Sequence, residues 1–159
     1  MQTLVEDWEV NRIMNREIEF RGFDGTKWYY GDLEYNRKTN FARIHTYKND
    51  GTYGCQYTID PDTVGQFTGL RDKNGNKIFD GDILLWTRKN VHIEGRPIQD
   101  FSDKCVIYYD NDKCGFRFRC KLDCGSCVGN LDFSDDRAEE SYIEVIGNIH
   151  ANPDLLSSK

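Results

Sequence analysis

No run of ~18 consecutive apolar residues occurs in the sequence, so no segment reads as a membrane-spanning helix. The opening MQTLVEDWEVNRIM holds acids where a secretory leader has a basic start and an apolar stretch, and the protein is expected to stay in the cytoplasm. In that reducing compartment the six cysteines are expected to stand as thiols or metal thiolates, not as a disulfide framework. Positive charge is also in short supply. With 21 Lys and Arg against 27 Asp and Glu, a net charge of -6 and a pI near 5.1 oppose any general attraction to polyanions, which rests on clustered cations. Catalytic signatures are missing too: there is no G-x-S-x-G elbow, HExxH, P-loop or dinucleotide glycine pattern, and His45, His92 and His150 stand in unrelated contexts. The chain is therefore not expected to be an enzyme. Internal repeats, low-complexity segments and long helical stripes in the middle of the chain are absent as well.

What the sequence has in quantity is aromatic and charged residues. Aromatics at 13%, charged residues at 30% and hydrophobic residues at 38% describe a globular chain whose core leans on Phe, Tyr and Trp. A length of 159 residues suits one domain with its own core. We expect that domain over 14–159, with 1–13 as an extension, since Met14 can equally begin the chain; Leu4, Val5 and Trp8 suit a short amphipathic helix there. From Arg16 the pattern has period two: Glu17-Ile18-Glu19-Phe20-Arg21 alternates charged and apolar residues, the signature of a strand with one wet face. Further strands are expected over 27–30, 41–47, 52–59, 66–70, 77–79, 83–87, 105–109, 116–122 and 142–149. Asp24-Gly25, Asn49-Asp50-Gly51, Asp60-Pro61-Asp62, Asn74-Gly75 and Asp80-Gly81 punctuate them. Short helical turns are expected at 134–140, capped by Ser134 or Asp135, and at 152–156, where Pro153 fits a first turn. The expected class is mainly β.

Three groups of residues in order resemble the YopX family of phage and prophage proteins. They are Arg16-Glu17-Ile18-Glu19-Phe20-Arg21-Gly22-Phe23-Asp24; Val64-Gly65-Gln66-Phe67-Thr68-Gly69-Leu70 with Asp72, Gly75, Ile78, Phe79 and Gly81-Asp82-Ile83; and Val145-Ile146-Gly147-Asn148-Ile149 with Asn152-Pro153-Asp154-Leu155-Leu156. The resemblance spans 16–156, but the segment from about 88 to 141, with five of the six cysteines, carries no matching motif. It implies a partly open β-rich pseudobarrel of short antiparallel strands with short capping helices and SH3-like elements, in a bacterial host cell, and no established activity. It supplies the fold motif Gly65, Gln66, Thr68, Gly69, Leu70, Asp72, Gly75, Ile78, Gly81 and Asp82, and no catalytic residue.

Two chemistries compete with purely structural readings. The acidic runs at Asp72 and Asp110 look like calcium loops, but Gly75 falls at position four of the first, and the second has Cys114 at five and Lys121 at twelve, so neither wraps an ion. Turns whose Asx side chains bond their own backbone are the reading we adopt. No motif calls for a cofactor, and the one candidate is structural zinc on Cys120, Cys124 and Cys127, with a fourth ligand such as Cys55, Cys105 or a histidine. Cys114 shares strand parity with Phe116, Phe118 and Cys120, and six residues of extended chain put it ~20 Å from Cys120, too far to share the ion. The competing reading makes Cys114 and Cys120 small buried hydrophobes. A redox role for Cys124-Gly125-Ser126-Cys127 is disfavoured because Val128-Gly129-Asn130 is a poor helix start.

The opposite parity carries Lys113, Arg117, Arg119 and Lys121, a cationic stripe on the wet face of the same strand, with Arg88, Lys89, His92 and Arg96 expected as a second basic stretch in a nearby loop. These residues are the candidate nucleic-acid surface, a partner the net charge disfavours. The leading functional reading is a non-enzymatic accessory protein that acts through contacts with an unidentified protein partner, including self-association through exposed sheet edges.

Overall fold

The computed structural model describes residues 17–122 and 125–157, without the side chains of 121, 122, 125 and 126. The helix expected within 1–13 lies outside the described residues. Eleven strands are present among the described residues: β1 (Phe20–Phe23), β2 (Trp28–Asn36), β3 (Phe41–Tyr47), β4 (Tyr53–Ile59), β5 (Gly65–Arg71), β6 (Lys77–Phe79), β7 (Asp82–Val91), β8 (Gln99–Asp110), β9 (Gly115–Leu122), β10 (Gly125–Asn130) and β11 (Glu140–Asn148). They form a six-stranded sheet, β4-β3-β2-β1-β5-β6, and a five-stranded sheet, β10-β9-β8-β7-β11, antiparallel throughout and neither one closed. The mainly β, open architecture with little helix agrees with the sequence reading. Helical content among the described residues is confined to 3-10 turns at Pro61–Thr63 and Pro153–Leu156.

β2 changes partner midway, pairing with β1 through Gly31 and with β3 from Asp32 onward. Only glycine allows the crossing, since a Cβ at Gly31 would sit 2.1 Å from the His45 carbonyl oxygen. Ala42, Ile44 and Ile59 form the core of this sheet, with Phe20, Tyr29, Leu33 and Val64 around them. The second core takes Leu84, Trp86, Cys105, Ile107, Phe118, Cys120 and Ile143 from the five-stranded sheet and Ile78 from β6, so it is shared between the sheets. Each such aliphatic or aromatic side chain contributes about 1.5–3 kcal/mol on full burial. β7 is covered on both faces, which is why Ile83 and Leu84 are both fully buried. Leu84 faces the core. Ile83 lies opposite Gly147, where the C-terminal 3-10 turn takes the space of a side chain, with Asn152 and Leu155 atoms 2.6 and 2.8 Å from a Cβ placed there.

Several expectations are corrected. The first strand begins at Phe20, and Ile18 is 45% exposed; residues 17–19 are held instead by Glu17 and Glu19, whose carboxylates both clasp the Lys77 ammonium at 2.5 and 2.6 Å. Arg21, expected on a wet face, is buried. No helix forms over 134–140; a single turn closes there, with the Ala138 amide donating to the Asp135 carbonyl at 2.9 Å and the Asp135 carboxylate accepting the Arg137 amide and pairing with Arg137 and Arg88. Cys114 is exposed in the turn before β9, at φ +51°, so it breaks the parity assigned to it and takes Lys113 off the strand. Phe118 and Cys120 do face the core, with Arg119 exposed; Phe116 and Arg117 are both half-buried. β10 was not foreseen. The expectation of reduced thiols is corrected at one pair: Cys105 and Cys120 stand directly opposite on β8 and β9, fully buried, and are joined as a disulfide.

Candidate functional site at the joint between the sheets

The motif residues of β5, β6 and the start of β7 converge where the two sheets meet. Asp72 opens a turn closed by the left-handed Gly75 (φ +84°); its Oδ1 accepts the amides of Asn74 and Asn76, both at 2.9 Å, and its Oδ2 accepts the Asn76 side chain. The same Oδ2 also accepts the Val145 amide of β11 at 3.1 Å, and the Lys73 amide donates to the Ile143 carbonyl at 3.0 Å. Those two β11 groups belong to its outer edge, so this turn of the first sheet seals the edge of the second. Burial would raise the Asp72 carboxyl, but the Asn76 side chain and the amides of Val145, Asn76 and Asn74 hold it below its ordinary value.

Asp82 begins β7 and is 1% exposed. Its Oδ2 accepts the Phe79 amide at 2.8 Å, and its Oδ1 lies 2.6 Å from Nη1 of Arg21 on β1. The Arg21 guanidinium donates from Nη2 to the Asp80 carbonyl at 3.0 Å and stacks between the rings of Trp28 and Phe79, 4.8 and 5.0 Å from their centres. Burial pushes the Asp82 carboxyl above its ordinary value, against the pull of Arg21 and the Phe79 amide; burial also raises Asp80, against the Gly81 amide and Arg21. Gly65 leaves room for this arrangement, since a Cβ there would meet the Asp80 carbonyl oxygen at 2.6 Å. The Gln66 carbonyl accepts the Asp80 amide, and the Thr68 hydroxyl donates to the Ile78 carbonyl, each at 2.9 Å. Gly69 and Gly81 both have positive φ, Leu70 is exposed, and the Gly81 carbonyl accepts the Ile149 amide.

A cleft of about 420 Å³ opens beside this cluster, lined by Glu19, Arg21, Tyr30, Lys77, Phe79 and Asp82 among others. Its charges neutralise one another: Arg21 with Asp82, Lys77 with Glu19 and Glu17. Such closed ion pairs lock two elements together.

The other sequence candidates lie elsewhere. Arg117 and Arg119 share a face of β9, with Arg117 Nε 3.8 Å from an Asp110 oxygen and Arg119 over the Tyr108 ring at 5.0 Å. Lys113 lies in the turn, and the Lys121 side chain lies outside the described residues. The second basic stretch is split: Arg96 is exposed in the loop after β7, and the other three meet acids. Arg88 is buried in β7 against Asp103 and Asp135, Lys89 meets Asp100 at 2.7 Å, and His92 lies 3.7 Å from Glu139. For zinc, Cys120 is bonded to Cys105, Cys124 lies outside the described residues, and Cys127 is half-buried opposite Cys120. No set of three His, Cys, Asp or Glu among the described residues is arranged to hold a metal ion. Asp110 accepts the amides of Asp112 and Lys113, an Asx turn and not an ion loop. No described helix is long and apolar enough to cross a membrane.

The family model described as YopX protein matches residues 19–157. Among solved structures, protein EF1440 from Enterococcus faecalis is similar at 22% identity, over 89% of this chain and 99% of that one, with a TM-score of 0.46. No curated protein matches.

Proposed function

The chain belongs to the YopX family, and we propose that it is a non-enzymatic accessory protein, of the phage or prophage origin the resemblance implies, acting in the host cytoplasm through protein-protein contacts at its free sheet edges. The observation that carries this reading is the contrast among the four edges. β6 is three residues long and its Lys77 is clasped by Glu17 and Glu19; β11 is covered by the Asp72 turn and carries Glu140 and Glu144. β4 and β10 end their sheets among the described residues, and neither YGCQYTI nor GSCVGN holds a charge or a proline. Charge, proline, shortness and covering are the devices that keep strand edges from pairing. β4 and β10 lack the first two and have no covering among the described residues.

The occupant we assign to β4 is a second copy of the chain. Two β4 strands aligned antiparallel bring no like charges together, which matters in a protein of net charge -6, and Tyr47 and Tyr53, each more than half exposed, add apolar area beside the edge. Sedimentation of the full chain across a concentration series tests this. A monomer–dimer equilibrium shifted to monomer by Gln56→Lys with Thr58→Lys is expected; a wild-type monomer at every concentration overturns the β4 assignment. The rival reading, a nucleic-acid module using Arg117 and Arg119, predicts salt-dependent binding of single-stranded DNA that Arg117→Glu with Arg119→Glu abolishes. That result would replace our reading.

A further inference from the structure

Three cysteines stand in one row across neighbouring strands. Cys105 on β8 lies opposite Cys120 on β9, and Cys120 lies opposite Cys127 on β10. Directly opposed residues of antiparallel strands project to the same face, and the half-buried Cys127 packs against the same core cluster as the other two. Cys105 and Cys120 are joined, with both residues fully buried. A thiol in solution cannot reach that bond directly. Cys127 can, and it sits on the flank of Cys120 opposite Cys105, the side from which a thiolate displaces the far sulfur of a disulfide.

We propose that this row is a thiol–disulfide exchange site in which Cys127 connects the buried Cys105–Cys120 bond to low-molecular-weight thiols. The Cys127 thiolate attacks Sγ of Cys120, the Cys120–Cys127 bond forms as the Cys105–Cys120 bond breaks, and Cys105 leaves as a thiolate that takes up the proton Cys127 released. No electrons are gained or lost in this step. A small-molecule thiol then attacks Sγ of Cys127, releases Cys120, and forms a mixed disulfide. A second thiol resolves it, leaving the protein with two more thiols and the small molecule as its disulfide.

Strand geometry sets which bond is preferred. A residue whose backbone groups point away from one neighbour bonds the other, so the two pairs of the row differ in kind. The Cα–Cα distance of 4.1 Å marks Cys105–Cys120 as the close, non-hydrogen-bonded pair. Cys120–Cys127 is then the wider pair, at about 5.5 Å, still within disulfide reach. Cys105–Cys120 is therefore the resting bond and Cys120–Cys127 the transient one.

Trypsin separates the three: Cys105 falls in peptide 105–113, Cys120 in 120–121 and Cys127 in 122–137. The test uses the full chain carrying Cys55→Ser, Cys114→Ser and Cys124→Ser, so that only the row remains. The oxidised protein is exposed to reduced glutathione, quenched with acid and N-ethylmaleimide, and mapped by mass spectrometry. A transient link between peptides 120–121 and 122–137 is expected, and further substitution Cys127→Ser or Cys127→Ala should slow loss of the Cys105–Cys120 link by about tenfold or more. Destabilised variants would lose the bond faster through unfolding, so slowing is diagnostic even if their melting temperature falls. Equal rates with and without Cys127, glutathione attached first to Cys105 or Cys120, or Cys105 and Cys120 recovered as free thiols from non-reducing preparation would each overturn the proposal.

Discussion

The inner and outer edges of the two sheets are built from opposite materials. At the joint, Asp72, Asp82 and Arg21 spend buried charge to satisfy backbone groups and each other across the sheet boundary. At the outer ends, β4 and β10 carry no charge at all. The acids that give the motif its look of a chemical site therefore do architectural work, while the strands plainest in sequence are the ones left available for contact. A polar group buried at a boundary fixes one arrangement because every alternative leaves it unpaired.

Breaking the joint should give the largest effects. Arg21→Met leaves Asp82 buried without its counter-charge and removes the guanidinium from between Trp28 and Phe79, and we expect a loss of about 3–5 kcal/mol in urea denaturation. Adding Asp82→Asn should recover part of that loss, a non-additivity of about 0.5–3 kcal/mol; strict additivity would mean that the two residues act independently. Asp72→Ala strands the Val145 and Asn76 amides, for an expected loss of about 2–4 kcal/mol. Asp72 also gives the joint a pH dependence of defined sign. Its folded carboxyl is held below the ordinary value, so its contribution is present above the ordinary carboxylate range and is lost as pH falls through the depressed value. Melting temperatures from pH 7 down to 3 should fall less steeply in Asp72→Asn than in the wild type, and parallel curves would remove Asp72 from the acid response.

β3 and β9 were legible because each alternates with one face to bury; β3 and β6 match their expected bounds, and β4, β5 and β9, bounded by turn residues, fall within a residue of theirs. Arg21 was not. Its place in an alternating segment assigns it to water, and only the meeting of β1 with the start of β7, a contact between residues 61 apart, buries it. The left-handed turn at Cys114 likewise defeats parity counted through it. β10 hides because Gly125 and Gly129 weaken its pattern, yet Gly129 is needed: a Cβ there would lie 2.5 Å from the Phe118 ring. The cysteine row became visible only with two registers in hand, and its signal in the sequence was there all along, since Cys120 and Cys127 fall symmetrically about a hairpin that pairs Leu122 with Gly125.

The smallest effect on stability is expected at the outer edge, and its smallness is what gives it meaning. Gln56 and Thr58 are exposed on β4, opposite His45 and Arg43, and lysines at both positions leave the core of Ala42, Ile44 and Ile59 untouched. The double substitution should change unfolding free energy by no more than about 1 kcal/mol, mostly because Thr58→Lys places a like charge opposite Arg43. If the same pair abolishes self-association, the edge contributes to contact without contributing to the fold, the inverse of the joint. If instead it costs several kcal/mol in the monomer, β4 is part of the folded core and the contrast between inner and outer edges fails.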